Sequence, residues 1–451
     1  MKKIIILLFI LITSVTFYFL KRPKNQPVKN ILVISFCSLS AHELPLYNQN
    51  VSAEDFPNFN RFFNQSINYT NAHGSTSWLN IGYFIFNQKW FETFKTPEEK
   101  NQPIMDWSSN NVDATMIRIP GERDLITGYS ENYSDDRSQL PFHEFDQTFN
   151  IVEKRLNSPG QKLIILHYKI MHYPFLSNDL LDNKELMSKT FSPDELLLIN
   201  EYFQNPDQYL NKMAFFQFLF GDKKFKNYYK INPNQYAAFV TIPKEVEKWK
   251  QSKNFQKDQQ ILLKAYRLRL KLADQLIGKW QTHFKKFEKN TALVLAGDHG
   301  ETFGQYNYLS HGIIPYDEVT RFFFAIHFPF QSEKIVIDKQ VSQKSLGHLL
   351  EDIAQKKFTF NTLDTKKYIK TSDDYIFAYS CAGDIGSVRV NSKWKAIHNF
   401  KENHTQLFDL ATDPLEMHDI SSQYQELTLS LKLEIEERLA KRTISSTTCI
   451  K

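Results

Sequence analysis

The chain has 451 residues, enough to bury a large core and too many for a small binding module. Its 38 Phe and 21 Tyr point to aromatic-rich packing, and the composition is that of a folded globular protein rather than a disordered one. Formal net charge is only +5 with both signs interspersed, which excludes a basic nucleic-acid-binding block, and three cysteines (Cys37, Cys381, Cys449) are too few and too scattered for a disulfide framework or a CxxC metal knuckle.

The N-terminus, Met1-Lys2-Lys3, leads into an apolar run from Ile4 to Leu20 and then Lys21-Arg22-Pro23-Lys24. That run is about long enough to span a bilayer, and it shows neither a small-x-small cleavage site nor a lipobox cysteine. It is read as an uncleaved anchor at residues 1–29, including a short linker, that leaves the rest of the chain outside the cytoplasm. A buried core helix fits poorly at a terminus flanked by cations.

From Asn30 to Ser35 a continuously apolar, β-branched run predicts a fully buried parallel strand, and Lys162 to His167 predicts another. The clearest is Thr291 to Gly297, preceded by a helix in which Leu263, Tyr266, Leu270, Ala273, Ile277, Trp280 and Phe284 share one face. Buried strands alternating with amphipathic helices predict an α/β fold with a mainly parallel central sheet wrapped by helices on both faces, over residues 30–375. Residues of about 180–260, rich in Phe, Tyr, Asn and Lys, read as an irregular, partly helical insertion that forms a lid or a substrate-side wall. Beyond it, short strands at Ser387 to Val390 and Lys393 to His398 and a helix near Gln425 to Lys441 predict a small C-terminal α+β subdomain, residues 376–451.

In parallel sheets polar chemistry collects past the C-terminal strand ends, where loops share one crevice. There stands Ala296-Gly297-Asp298-His299-Gly300-Glu301. Asp298 and His299 are metal ligands or acid/base groups by position; an Asp capping a helix, with a histidine beside it, would give the same triplet. Farther on come Ser310-His311-Gly312 and Pro315-Tyr316-Asp317-Glu318-Val319-Thr320-Arg321.

These blocks together resemble the second metal-binding block of sulfatase-like enzymes in the alkaline phosphatase superfamily. The helix carrying Tyr266 and Asp274, the loop His167-Tyr168 with His172-Tyr173-Pro174, and the tail through Arg389, Lys395, Gln406 to Leu410 and Asp413-Pro414-Leu415-Glu416 are similar to further segments of that family, so the resemblance covers roughly residues 30 to 440. It implies a metal-dependent hydrolase of sulfate or phosphate esters, with His172 and His311 stabilising charge on the ester oxygens. It also implies a divalent metal ion, zinc or calcium, and as partner a sulfated or phosphorylated small molecule or glycan. Besides that partner the membrane is expected, through the N-terminal segment, and no nucleic acid.

Two departures stand out. An ungapped match of Asn30 to Leu44 puts Cys37 where the family has a metal-binding Asp, and the thiol would suit zinc better than calcium or magnesium; the other reading of Cys37 is a small buried apolar residue at a strand end. A similar match of Asn71 to Tyr83 puts Leu79 at the nucleophile, with no formylglycine motif, so Thr76 or Ser77, with Ser75 beside them, must substitute, unless these hydroxyls merely cap a helix starting near Leu79. The expected activity is therefore hydrolysis with an atypical nucleophile and first metal ligand. The competing expectations are a catalytically degenerate domain that binds an anionic ligand or a protein partner, and, less in keeping with a single apolar segment, a membrane-embedded phosphoglycerol or phosphoethanolamine transferase.

Overall fold

The computed structural model describes residues 28–75, 112–119, 145–220, 243–329, 333–355, 372–380 and 384–440. Its centre is an eight-stranded sheet. β1 (Asn30–Phe36) lies in the middle, parallel to β4 (Gln161–Tyr168) on one side and to β5 (Thr291–Gly297) on the other. β3 (Val112–Ile119) extends the sheet beyond β4, again parallel. Beyond β5 the sheet continues through β8 (Arg321–His327), antiparallel to its neighbour, then β2 (Ile67–His73) with β9 (Ile335–Ile337) and β10 (Val341–Ser342). Every residue of β1 and β5 is buried, as expected for strands covered on both faces.

Alternation along β1 sorts its side chains between two cores. Leu32, Ile34 and Phe36 pack with helices α1 (Pro57–Phe63) and α2 (Phe145–Asn157) and with the long helix after the insertion. Ile31 and Val33 pack on the other face, against Leu346, Leu349, Leu350 and Ile353 of residues 343–354. At about 1.5–3 kcal/mol for each fully buried aliphatic side chain, this double coverage drives the fold, and sliding a strand by one residue would exchange its two faces.

The insertion is more regular than its composition suggests. Its described part is helical: α3 (Asn178–Asp182), α4 (Lys184–Thr190), α5 (Pro193–Gln204), α6 (Met213–Phe220) and α7 (Pro243–Lys250). Ser192 starts α5 with a reciprocal capping box to Glu195, and every residue of α6, MAFFQFLF, is buried, so its four Phe are core rather than surface. Helix α8 (Phe255–Phe284) follows and leads into β5. After β5 come the small hairpin β6–β7 (Thr302–Phe303, Leu309–Ser310), helix α9 (Asp317–Thr320) and, past β8 to β10, helix α10 (Gln343–Ala354).

The C-terminal unit is an antiparallel four-stranded sheet, β11 (Tyr375–Tyr379), β12 (Ile385–Val390), β13 (Trp394–Asn399) and β14 (His404–Asp409). Helix α11 (Gln425–Ala440) covers it with Leu431 and Ile435. The fold class read from the sequence is thus the one observed. Among the described residues no helix is long and apolar enough to cross a membrane; the apolar run from Ile4 to Leu20 lies outside them.

Candidate metal centre

Strands β1, β4 and β5 run parallel, and β2, antiparallel to β8 as β8 is to β5, runs with them. Their C-terminal ends therefore meet at one edge of the sheet. The register sets Phe36 beside both Tyr168 and Gly297, and two further backbone bonds, Cys37 N–H to Tyr168 O at 2.8 Å and Asp298 N–H to Phe36 O at 3.3 Å, carry that alignment one residue past the strands. Cys37 and Asp298 are neighbours for this reason.

Asp298 is 1% exposed. Its Oδ1 accepts from the backbone N–H of Ser38 at 3.0 Å and of His299 at 2.7 Å, the former made possible by a left-handed Ser38 at φ 61°. It caps no helix, since the next element is strand β6. Its Oδ2 is buried without a hydrogen-bond partner and faces His167 Nε2 at 3.8 Å. His299 donates from Nδ1 to the carbonyl of Gly300 at 2.8 Å, which leaves Nε2 of the neutral ring as a bare lone pair. That lone pair lies 3.8 Å from Cys37 Sγ and 3.6 Å from Asp298 Oδ1. One donor atom from each of Cys37, Asp298 and His299 falls within 4.8 Å of the others.

Three electron-rich atoms turned toward one another in a water-poor space repel unless a proton or a cation lies between them. Burial raises the Asp298 carboxyl and the Cys37 thiol and lowers His299, each shift pushing its group toward the neutral form. A divalent cation would reverse all three, and thiolate, imidazole and carboxylate are accepted ligands of such an ion. The residues present fit a metal. Cys37 is a free cysteine, while Cys381 and Cys449 lie outside the described residues.

His311 comes from the end of the β6–β7 hairpin and lies against His299, tilted by 35° with ring centroids 4.1 Å apart, then meets His172 edge-on at 5.3 Å. Both carboxylate oxygens of Glu301 face its Nδ1, at 3.0 and 3.2 Å, and this grip fixes the ring beside the centre. Burial lowers His311 to about 4 and raises Glu301 to about 8. His172 donates from Nδ1 to Tyr173 O at 3.0 Å. A row of imidazoles, His172, His311 and His299, thus lines the ground beside the three converging donors.

Thr76 and Ser77 lie outside the described residues. The described chain before them reaches the same place: Gly74 N–H donates to Thr320 O at 2.7 Å, and Gly300 N–H donates to the adjacent Val319 O at 2.7 Å. Gly300 is required there, because a Cβ on it would lie 2.0 Å from the Glu318 carbonyl oxygen. The grip of Glu301 on His311 was not read from the sequence, although the carboxylate stands in the same short block.

The block from Tyr316 to Arg321 serves other contacts. Asp317 does not join the metal cluster. Arg389 and Lys395 of the C-terminal sheet converge on it, Lys395 at 2.7 Å, and His73 Nδ1 lies 3.7 Å away. Glu416 completes the lock, accepting the Asp317 N–H at 2.6 Å while pairing with Lys395 at 2.6 Å. Arg321 instead donates to Thr70 O, at 2.7 Å.

No family model matches the sequence, and no curated protein matches it. Solved structures do. A protein solved in complex with its substrate, D-glucosamine-2-N,6-O-disulfate, superposes with a TM-score of 0.58 at 13% identity over 93% of this chain and 98% of its own. A 2-O glycosaminoglycan sulfatase gives 0.59 at 13%, over 93% and 92%. The phosphonate monoester hydrolase of Agrobacterium radiobacter gives 0.59 at 11%, over 92% and 96%. The chain has the fold of sulfatases and of that hydrolase along nearly its whole length.

Proposed function

We propose that this chain is a metal-dependent hydrolase of sulfate or phosphate esters, with Cys37, Asp298 and His299 as the metal-binding group. One observation carries the reading: the buried Asp298 carboxylate, one oxygen of which has no hydrogen-bond partner, stands with Cys37 Sγ and His299 Nε2 at the C-terminal edge of a sheet whose fold is that of sulfatases and a phosphonate monoester hydrolase. A metal held there would polarise an ester oxygen and offset its growing charge. The chain's own part is to orient and to supply protons: His311, braced by Glu301, and His172 present imidazole edges to the ester oxygens, and a hydroxyl of Thr76 or Ser77 is the candidate nucleophile. The substrate class is a sulfated or phosphorylated small molecule or glycan. The N-terminal apolar run is read as the anchor that holds the domain at the outer face of the membrane.

The test is turnover by full-length protein of a panel of sulfated glycans, aryl sulfates, phosphate monoesters and phosphonates, with and without chelator. Hydrolysis of at least one class, lost with chelator and in Asp298→Ala/His299→Ala, is expected. Ordinary aryl sulfates should be poor substrates, since the formylglycine motif is missing. A specific observation also favours a second reading: Leu79 matches the nucleophile position, so an anion-binding domain without turnover is the alternative. Binding of sulfated glycans with no hydrolysis of any panel member would establish it.

A further inference from the structure

Whether Cys37 is an inert strand-end residue or a ligand decides which ion the centre takes, and its surroundings decide that question. We infer that Cys37 supplies a thiolate to a centre built for a soft, four-coordinate divalent cation, zinc rather than calcium or magnesium. This rests on the functional reading above and narrows it.

Three observations support it. First, the Cys37 sulfur is turned toward His299 Nε2, the one ring nitrogen that the Gly300 carbonyl leaves bare, and not into either hydrophobic core. Second, the spacing is right: a tetrahedral ion at about 2.3 Å from sulfur and about 2.0–2.1 Å from nitrogen and oxygen requires S···N near ~3.5 Å and N···O near ~3.4 Å. The observed separations are 3.8 Å for S···N and 3.6 Å from Nε2 to Asp298 Oδ1, and one atom from each of the three residues lies within 4.8 Å of the others, so the group is spaced to close on such an ion. Third, the donors are too few and too soft for a hard ion. Calcium takes about 6–8 oxygens, whereas the cluster found among the described residues offers a single carboxylate, with the nearby Glu301 turned to His311. Three protein ligands leave one tetrahedral position open, which is the arrangement of a zinc site that admits an ester oxygen or water.

The experiment uses full-length protein stripped with chelator and reloaded with zinc, calcium or cobalt(II). Wild type should retain about one zinc against excess calcium, and its cobalt form should show the intense near-ultraviolet band of sulfur-to-cobalt charge transfer. Cys37→Ser should lose that band and at least about 100-fold in zinc affinity, because even outer-shell partners of a metal ligand are worth 10–100-fold. Cys37→Asp should narrow the gap between zinc and calcium. Thermal unfolding of the stripped proteins checks that each variant folds, and Cys37→Ala serves if one does not. Zinc bound equally by wild type and Cys37→Ser, with no charge-transfer band, would overturn the thiolate while leaving a metal-dependent hydrolase standing. No metal retained by wild type would overturn both.

Discussion

Two buried aspartates at the same edge of the sheet have opposite fates. Asp317 is met by the cations Arg389 and Lys395, with His73 beside them, and although burial by itself would raise it, these neighbours together hold its carboxyl well below the usual range. Asp298 meets two backbone N–H groups on one oxygen and nothing within hydrogen-bond reach on the other, and burial raises it. A carboxylate with both oxygens met by a cation is a clasp: here it joins α9 to the C-terminal sheet. A buried carboxylate left half unanswered, with a thiol and an imidazole beside it, is what the proposed metal site requires. If that contrast is right, damage at the two sites should look different in size and in kind.

The largest effect belongs to the clasp. Asp317→Ala strands Arg389 in a buried place and leaves Lys395 with Glu416 alone, and should destabilise the stripped protein by about 3–5 kcal/mol in denaturant unfolding. A loss below about 1 kcal/mol would show that the C-terminal unit is not held this way. Next comes Gly300→Ala, which ties the regions together: the added Cβ collides with the Glu318 carbonyl, forcing the turn after His299 away from α9. About 1–3 kcal/mol of stability and a measurable part of the metal affinity should be lost together. Unchanged affinity would mean that the two regions are mechanically separate.

The clasp also has a pH signature. Because the folded carboxyl of Asp317 is depressed, its contribution is fully present above the unfolded value of about 3.9 and disappears as pH falls below that toward the folded value. Wild type should therefore lose stability on the acid limb with a component approaching about 1.4 kcal/mol per pH unit that Asp317→Asn lacks. Parallel limbs for the two proteins would remove Asp317 as the source.

How much of this was legible beforehand follows from what each residue depends on. β1, β4 and β5 declared themselves because strands covered on both faces must be continuously apolar, and Asp298 was found because it follows the clearest of them. β2, reading Ile-Asn-Tyr-Thr-Asn-Ala-His, was hidden: Asn68 is a buried polar residue whose amide bonds three backbone carbonyls, a use no periodicity reveals. The role of Asp317 was hidden for a related reason. Its partners lie at Arg389 and Lys395, on another sheet, so the local sequence names neither of the cations that answer it. Cys37 stands between two readings in the sequence because the tautomer of His299, which a backbone carbonyl fixes with its lone pair toward the sulfur, is not written there.

The smallest expected effect is the sharpest test. Asp298→Asn keeps an oxygen to accept from Ser38 and His299, and turns an amide N–H toward His167 in place of the unpartnered oxygen. The substitution removes a carboxyl that burial already disfavours in its charged form, so nothing that stabilises the stripped protein is lost. Stripped wild type and Asp298→Asn should therefore unfold within about 1 kcal/mol of each other, the ordinary range for a change that breaks no contact. Adding zinc should separate them, raising the unfolding temperature of wild type and leaving the variant where it was, since only a ligand that binds the folded state with useful affinity shifts that equilibrium. Should Asp298→Asn instead cost the stripped protein several kcal/mol, Asp298 would be a second clasp like Asp317, and the open oxygen would carry no functional meaning.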